Sequence, residues 1–315
     1  MQRRTLGATD LEVSERGFGA WAIGGSSYGP VPAAVALDAL ARAEALGCNV
    51  VDTAAVYGES EAVLGRFLPG RRERWVVASK YSGQAEGMTA VVDAQLARLR
   101  TDRLDVYQIH FAPRGDDERL FDELVRLKEA GKIRFGGVSL RSAGDIEHVL
   151  GRPGVDVLQM PVSLLDPEPL SRQQAALAAH RPGVIARSAL RGGFLTGKYD
   201  GAARFASPAD QRSQWDAARI RTLAAQADAF RFLGEPGLAR TRAALAYPLS
   251  FPAVSTVIVS CKDSAQVEAN FGSPLPVLAP EVLAEITATQ RRLGLGHVGL
   301  VQRAIGRILA GLRRR

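Results

Sequence analysis

Residues 47–68 read GCNVVDTAAVYGESEAVLGRFL, and the fold is decided by how this stretch divides. A short apolar run closes on Asp52, a loop follows that carries Tyr57, and a helical pattern then begins. An apolar run of four to six residues, rich in Val and bounded by loop-forming residues, reads as a parallel strand buried on both faces. The same signature recurs in WVVASK, ending on Lys80, and in DVYQIH, ending on His110. Working outward, strands are expected near 17–21, 49–52, 75–80, 105–110, 133–139, 156–160, 183–188 and 256–260. Helical patterns lie between them, for example over 35–46, 89–99 and 118–130. Eight strand and helix units make an α/β chain and point to a (β/α)8 TIM barrel with extra C-terminal helices, in one domain spanning 1–315. An open doubly wound sheet is the competing architecture, but no GxGxxG opens a helix after the first strand. With 315 residues, 46% of them apolar, the chain can bury a core of barrel size.

In parallel α/β folds, groups at the C-terminal ends of strands converge on one face. Asp52, Tyr57, Lys80 and His110 all fall at or just after such ends. Each alone is an ordinary polar strand end; together they form a proton-donating set. A tyrosine hydroxyl, with a pKa near 10, releases its proton reluctantly at neutral pH. A neighbouring ammonium favours the phenolate, and a carboxylate keeps that ammonium charged and in place. A neutral imidazole donates a hydrogen bond that fixes where a substrate oxygen sits. The set suits an oxygen that is gaining negative charge.

Composition narrows the partners. Forty basic against thirty-three acidic residues give a formal charge of +7. The excess is spread along the chain except for RRER at 71–74 and the terminal RRR, which read as solvated surface. With no aromatic-interleaved basic motif, no nucleic acid is expected as a partner. Cys48 and Cys261 are the only cysteines, far apart and without metal-ligand spacing, so each reads as a small buried side chain and no metal is expected. The opening MQRRTLGATDLEVSE has no apolar core of a signal peptide, and no run is long enough to span a bilayer. A cytoplasmic protein without a membrane partner is the expectation.

The motif at 47–68, the strands WVVASK and DVYQIH, and the segments GKIRFGGVS (131–139), SALRGGFLTGKY (188–199) and STVIVSCKDSAQVEAN (255–270) resemble the aldo-keto reductase superfamily, in family order, over about 4–272. The resemblance implies a barrel that binds a nicotinamide dinucleotide and reduces a small-molecule carbonyl, with Asp52, Tyr57, Lys80 and His110 as catalytic residues. It also implies a cofactor site. Ser188, Leu190 and Lys198 would hold the pyrophosphate side; Ser260, Lys262, Gln266 and Asn270 would surround the adenosine end. Ala20, Trp21, Asp52, Ser139, Gln159 and Arg187 would border the nicotinamide. Lys262 stands where a point charge against a 2′-phosphate favours NADPH over NADH. Trp21, Tyr57, Tyr81 and His110 would line the substrate pocket, with Tyr28 either joining them or covering the barrel top.

Four positions depart from the family pattern. The nicotinamide carboxamide is usually gripped by a Ser-Asn pair and a Gln. Ser139 and Gln159 are present, but the Asn position is Leu140. The strand-7 aromatic that stacks on the ring is Arg187, whose charge would favour the reduced cofactor over the cationic oxidised one. A familiar Tyr-Asn after strand 6 is replaced by Val162 and Ser163. The loop 191–215 either folds over the cofactor or runs as surface connection. Val301, Ile305, Ile308, Leu309 and Leu312 recur at helical spacing opposite Arg303 and Arg307, as in a helix packed on the barrel's outside. The leading function is NADPH-dependent reduction of an aldehyde or ketone, a sugar-like carbonyl among the candidates. A keto or enoyl reductase of nucleotide-linked deoxysugars is a variant of it, and a cofactor-binding redox sensor or partner-binding module is the rival from another class.

Overall fold

The computed structural model describes residues 1–235 and 237–295; the C-terminal stripe from Val301 to Leu312 lies outside them. The chain begins with a hairpin of β1 (Arg3–Thr5) and β2 (Glu12–Ser14), paired antiparallel. Eight parallel strands follow: β3 (Arg16–Gly19), β4 (Val50–Asp52), β5 (Val76–Tyr81), β6 (Leu104–Ile109), β7 (Ile133–Ser139), β8 (Val157–Pro161), β9 (Gly183–Arg187) and β10 (Val254–Ser260). They close into a barrel, with β10 pairing β3. Helices α1 (Ala33–Ala45), α2 (Ser60–Phe67), α3 (Met88–Leu99), α4 (Arg119–Glu129), α5 (Ile146–Val149) and α6 (Glu168–His180) follow β3 to β8 in turn. Next come α7 (Ala217–Asp228) and α8 (Leu238–Leu249) after β9, then α9 (Ser264–Phe271) and the additional α10 (Pro280–Arg292) after β10. Among the described residues no helix is long and apolar enough to cross a membrane.

The strands exist because their side chains are buried on both faces. Residues such as Val51, Val77, Tyr107, Val138, Leu158, Val184 and Val257 face the helices in one large cluster. Alternate residues point inward, and the register stacks the inward residues of alternate strands in layers. Val50, Val106, Val157 and Thr256 form one layer, and Gly17, Ala78, Gly137 and Ile185 the next. Above them lie Asp52, Gln108, Gln159 and Ile258, and then Gly19, Lys80, Ser139 and Arg187. The interior is thus apolar at the bottom and polar at the C-terminal rim.

The initial hairpin went unrecognised in the sequence because its strands are only three residues long. It plugs the bottom of the barrel: Leu6, Leu11 and Val13 pack on Val50, Val76, Val106, Val157 and Ile185. Gly7 makes this docking possible, since a Cβ there would lie 2.2 Å from the Gly183 nitrogen.

Three expected site residues lie beyond the ends of the strands expected to carry them. β3 stops at Gly19, the last residue paired to both β4 and β10; Trp21 therefore lies in a short 3-10 turn, Ala20–Gly24. His110 is one residue past β6, held by its N–H to the Tyr81 carbonyl at 2.8 Å. Ser188 has left β9 and takes φ +60°, turning the chain out of the barrel.

Candidate active site

The C-terminal rim assembles the four polar strand ends. Lys80 and Asp52 lie on adjacent strands, pointing inward, with side chains 0% and 2% exposed. The ammonium donates to Asp52 Oδ1 at 2.5 Å and to the Thr53 carbonyl at 2.8 Å. The other carboxylate oxygen accepts from Gln159 Nε2 at 2.7 Å. A buried ion pair is tolerable only when its remaining hydrogen-bonding capacity is satisfied, and here both carboxylate oxygens are engaged.

Tyr57 sits above this pair, its ring centroid 4.9 Å from Lys80 Nζ. The turn that presents it is welded to the loop after β3: a Cβ on Gly24 would lie 1.7 Å from the Tyr57 carbonyl, and Glu59 donates its N–H to the Gly24 carbonyl at 3.0 Å. The turn then enters α2, with Ser60 N–H bonded to the Tyr57 carbonyl. His110 meets Tyr57 edge to face at 6.1 Å between centroids, and Trp21 lies 6.0 Å from Tyr57 on another side. Burial, with Lys80, Arg187 and Arg141 adding positive charge, pushes the His110 pKa down to about 4, so the imidazole is neutral across the physiological range. A phenol, an ammonium below it and a neutral imidazole beside it can together donate a proton to an oxygen placed between the phenol and the imidazole.

Other expected site residues fall on the same rim with different partners. Ser139 and Gln159 face inward, the hydroxyl donating to Gln159 Oε1 at 3.4 Å; Gln159 thereby serves Asp52 as well as the cleft. Leu140 is buried in the core. Arg187 crosses over β8 to donate from Nη2 to the Leu140 carbonyl at 2.8 Å, while its buried Nε has no partner. Ala20 is buried among core side chains, leaving only its backbone for a ligand.

Tyr81 corrects the sequence reading. Lys80 points into the barrel, so its neighbour on the strand points out. The Tyr81 ring is buried against the 83–87 turn, its hydroxyl donating to the Gln84 carbonyl at 2.6 Å. It does not line the cleft.

The loops after β9 and β10 are neighbours on this rim. Ser188 is exposed, Leu190 half-buried and Lys198 exposed. Ser260 ends β10; the Lys262 backbone N–H donates to Gln266 Oε1 at 3.1 Å, and Asp263 caps α9. Asn270 is turned inward, its amide nitrogen 3.3 Å from Cys261 Sγ. Hydroxyls, two lysines and an exposed helix start on adjoining loops fit a phosphate-bearing dinucleotide. Lys262 Nζ donates to the Tyr28 carbonyl, so its charge also ties the loop after β3 to the loop after β10.

Two features were beyond the sequence reading. The segment after β9 reaches the loop after β3: Gly29 donates to the Ala209 carbonyl and Gln211 to the Ser27 carbonyl, at 2.9 and 2.8 Å. Arg212, paired with Asp210 at 2.6 Å, lies over the rings of Tyr28, Tyr199 and Phe205 at 5.0, 5.2 and 4.1 Å. The 191–215 loop is therefore a strap across the rim rather than a surface connection. Behind Lys80, buried Glu61 accepts from Ser79, Gln95 and Arg98, and Tyr107 donates to Gln95. Such long-range partners leave no local pattern in the chain.

Residues 17–291 match the model of the Aldo/keto reductase family. L-galactose dehydrogenase from Arabidopsis thaliana is 30% identical over 318 residues, covering 91% of this chain and 94% of that protein. The NADH-specific methylglyoxal reductase of Escherichia coli is 31% identical over 199 residues, 53% of this chain and 60% of its own. The holo form of an aldo-keto reductase from Bacillus halodurans superposes with a TM-score of 0.74 at 26% identity, covering 92% and 96% of the two chains.

Proposed function

The chain belongs to the aldo/keto reductase family of oxidoreductases, and on that premise we propose that it reduces an aldehyde or ketone to an alcohol, using NADPH in preference to NADH. The observation that carries the reading is the buried Lys80–Asp52 pair directly beneath Tyr57, with neutral His110 alongside. The bound reduced nicotinamide would supply a hydride to the carbonyl carbon. Tyr57 gives its proton to the carbonyl oxygen as negative charge develops there. Lys80, held by Asp52, Thr53 and Gln159, stabilises the phenolate that remains. His110, uncharged, donates a hydrogen bond that sets the carbonyl's position without competing as an acid.

Ser139 and Gln159 would face the nicotinamide, Arg187 would border it, and the loops at 188–198 and 260–270 would hold the phosphates and adenosine. Trp21 would form a wall of the substrate cleft. Preference for NADPH rests on Lys262, although one relative is by name NADH-specific. The names of the relatives, a sugar dehydrogenase and a methylglyoxal reductase, favour a small polar carbonyl. The test is loss of reduced-nicotinamide absorbance over a panel of aldehydes and ketones with each cofactor. Turnover of several carbonyls, faster with NADPH, is the expected result; cofactor binding without turnover across the panel would remove the proposal in favour of a sensor.

A further inference from the structure

The charges at the mouth of the barrel do not balance. Three cations, Lys80, Arg187 and Arg141, lie near His110, and the carboxylates that act on Arg187 are Asp52 and Asp166. Asp52 is taken up by Lys80, and Asp166 lies 4.0 Å from Arg191. Arg187 and Arg141 remain. Arg187 is the inward residue at the end of β9, in the same layer as Lys80 and Ser139, and its guanidinium leans over β8 to the Leu140 carbonyl. Among the described residues it has no ion-pair partner, and its Nε is buried without a hydrogen-bond acceptor. Arg141 lies two residues past Ser139, the last residue of β7, at the rim end of the strand that pairs with β6, which His110 follows. It is exposed and has neither a hydrogen bond nor an ion pair among the described residues. Both are close enough to His110 to lower its pKa. Arg187 is partly buried, and burying a cation without a counter-ion is costly; with exposed Arg141 near enough to act on it, the mouth is shaped for an anion.

We propose that the substrate is an oxo acid: an aldehyde or ketone whose carboxylate is held by Arg141, with Arg187 beside the nicotinamide adding positive charge, while its carbonyl meets Tyr57 and His110. This rests on the carbonyl-reduction reading and adds the substrate class. A planar carboxylate matches the donor fork of a guanidinium. The redox step is unchanged: one hydride and one proton add across the C=O, the nicotinamide loses two electrons, and the carboxylate is untouched.

The test compares 4-carboxybenzaldehyde with its neutral methyl ester, using the full-length protein and saturating reduced cofactor. The acid should be favoured by on the order of tenfold or more in kcat/KM, mainly through KM, as a charge-assisted contact predicts. Arg141→Gln should bring the ratio towards one, mainly by raising KM for the acid, and Arg187→Gln should lower the same ratio. Equal use of acid and ester by the wild type, or a ratio that neither substitution alters, would overturn the proposal while leaving carbonyl reduction standing. A second reading does not depend on turnover: benzoate titrated into the enzyme–cofactor complex and followed by cofactor fluorescence. Saturable binding that benzamide lacks supports the anion site, and its absence refutes it.

Discussion

Gln159 Nε2 donates to Asp52 Oδ2 at 2.7 Å across the barrel, from β8 to β4, between residues 107 apart in the chain. With Lys80 on the other carboxylate oxygen, Asp52 is held from two directions at the centre of its layer. The geometry of Lys80 beneath Tyr57 thus depends on a strand from the far side of the barrel.

Gln159→Leu should therefore do more than weaken a cofactor contact. It leaves a buried carboxylate oxygen without its donor, at a cost of about 1–3 kcal/mol. A lower melting temperature of the cofactor-free protein is expected. Melting unchanged from wild type, with only cofactor affinity lost, would show that the amide serves the ligand alone.

Lys262→Ala should weaken NADPH binding by on the order of 1.5–3 kcal/mol, the range of a charge-assisted contact, and NADH binding much less. Fluorescence titration with each cofactor measures the difference. Because Lys262 also ties Tyr28, equal losses for both cofactors would assign it to closing the rim instead of reading the 2′-phosphate.

His110 makes stability depend on pH in a defined window. Its pKa is pushed down from 6.5 to about 4 by burial first and by Lys80, Arg187 and Arg141 after it. Between these values the unfolded chain binds a proton that the folded chain refuses. Stability therefore falls as pH drops from 6.5 towards 4, by up to about 3 kcal/mol, and this group adds nothing above 6.5. Melting curves across that window should show a steeper decline for wild type than for His110→Gln. Parallel declines would mean that the imidazole is not held neutral.

Much of this was legible because parallel strands announce themselves. IRFGGVS at 133–139 coincides with β7 residue for residue, being an apolar run closed by a polar end. Asp52 and Lys80 could be placed on the C-terminal face of the barrel for the same reason. Tyr81 was misplaced although the signal was available: the two-residue period that turns Lys80 inward turns its neighbour outward. The hairpin at 3–14 carries no such signal, since three residues cannot display a period. Gln159 with Asp52, Arg187 with Leu140, and Arg212 with Tyr28 are meetings of distant segments, fixed by barrel closure rather than by any local spacing.

The most direct measurement of the central claim is single-turnover carbonyl reduction by Tyr57→Phe, read beside an NADPH titration of the same protein. The substitution removes the transferable proton and almost no surface. The rate should fall by about 10²- to 10⁴-fold, with cofactor affinity nearly that of wild type. A single-turnover rate within a few-fold of wild type would contradict the account, because the proton would then come from a group other than Tyr57.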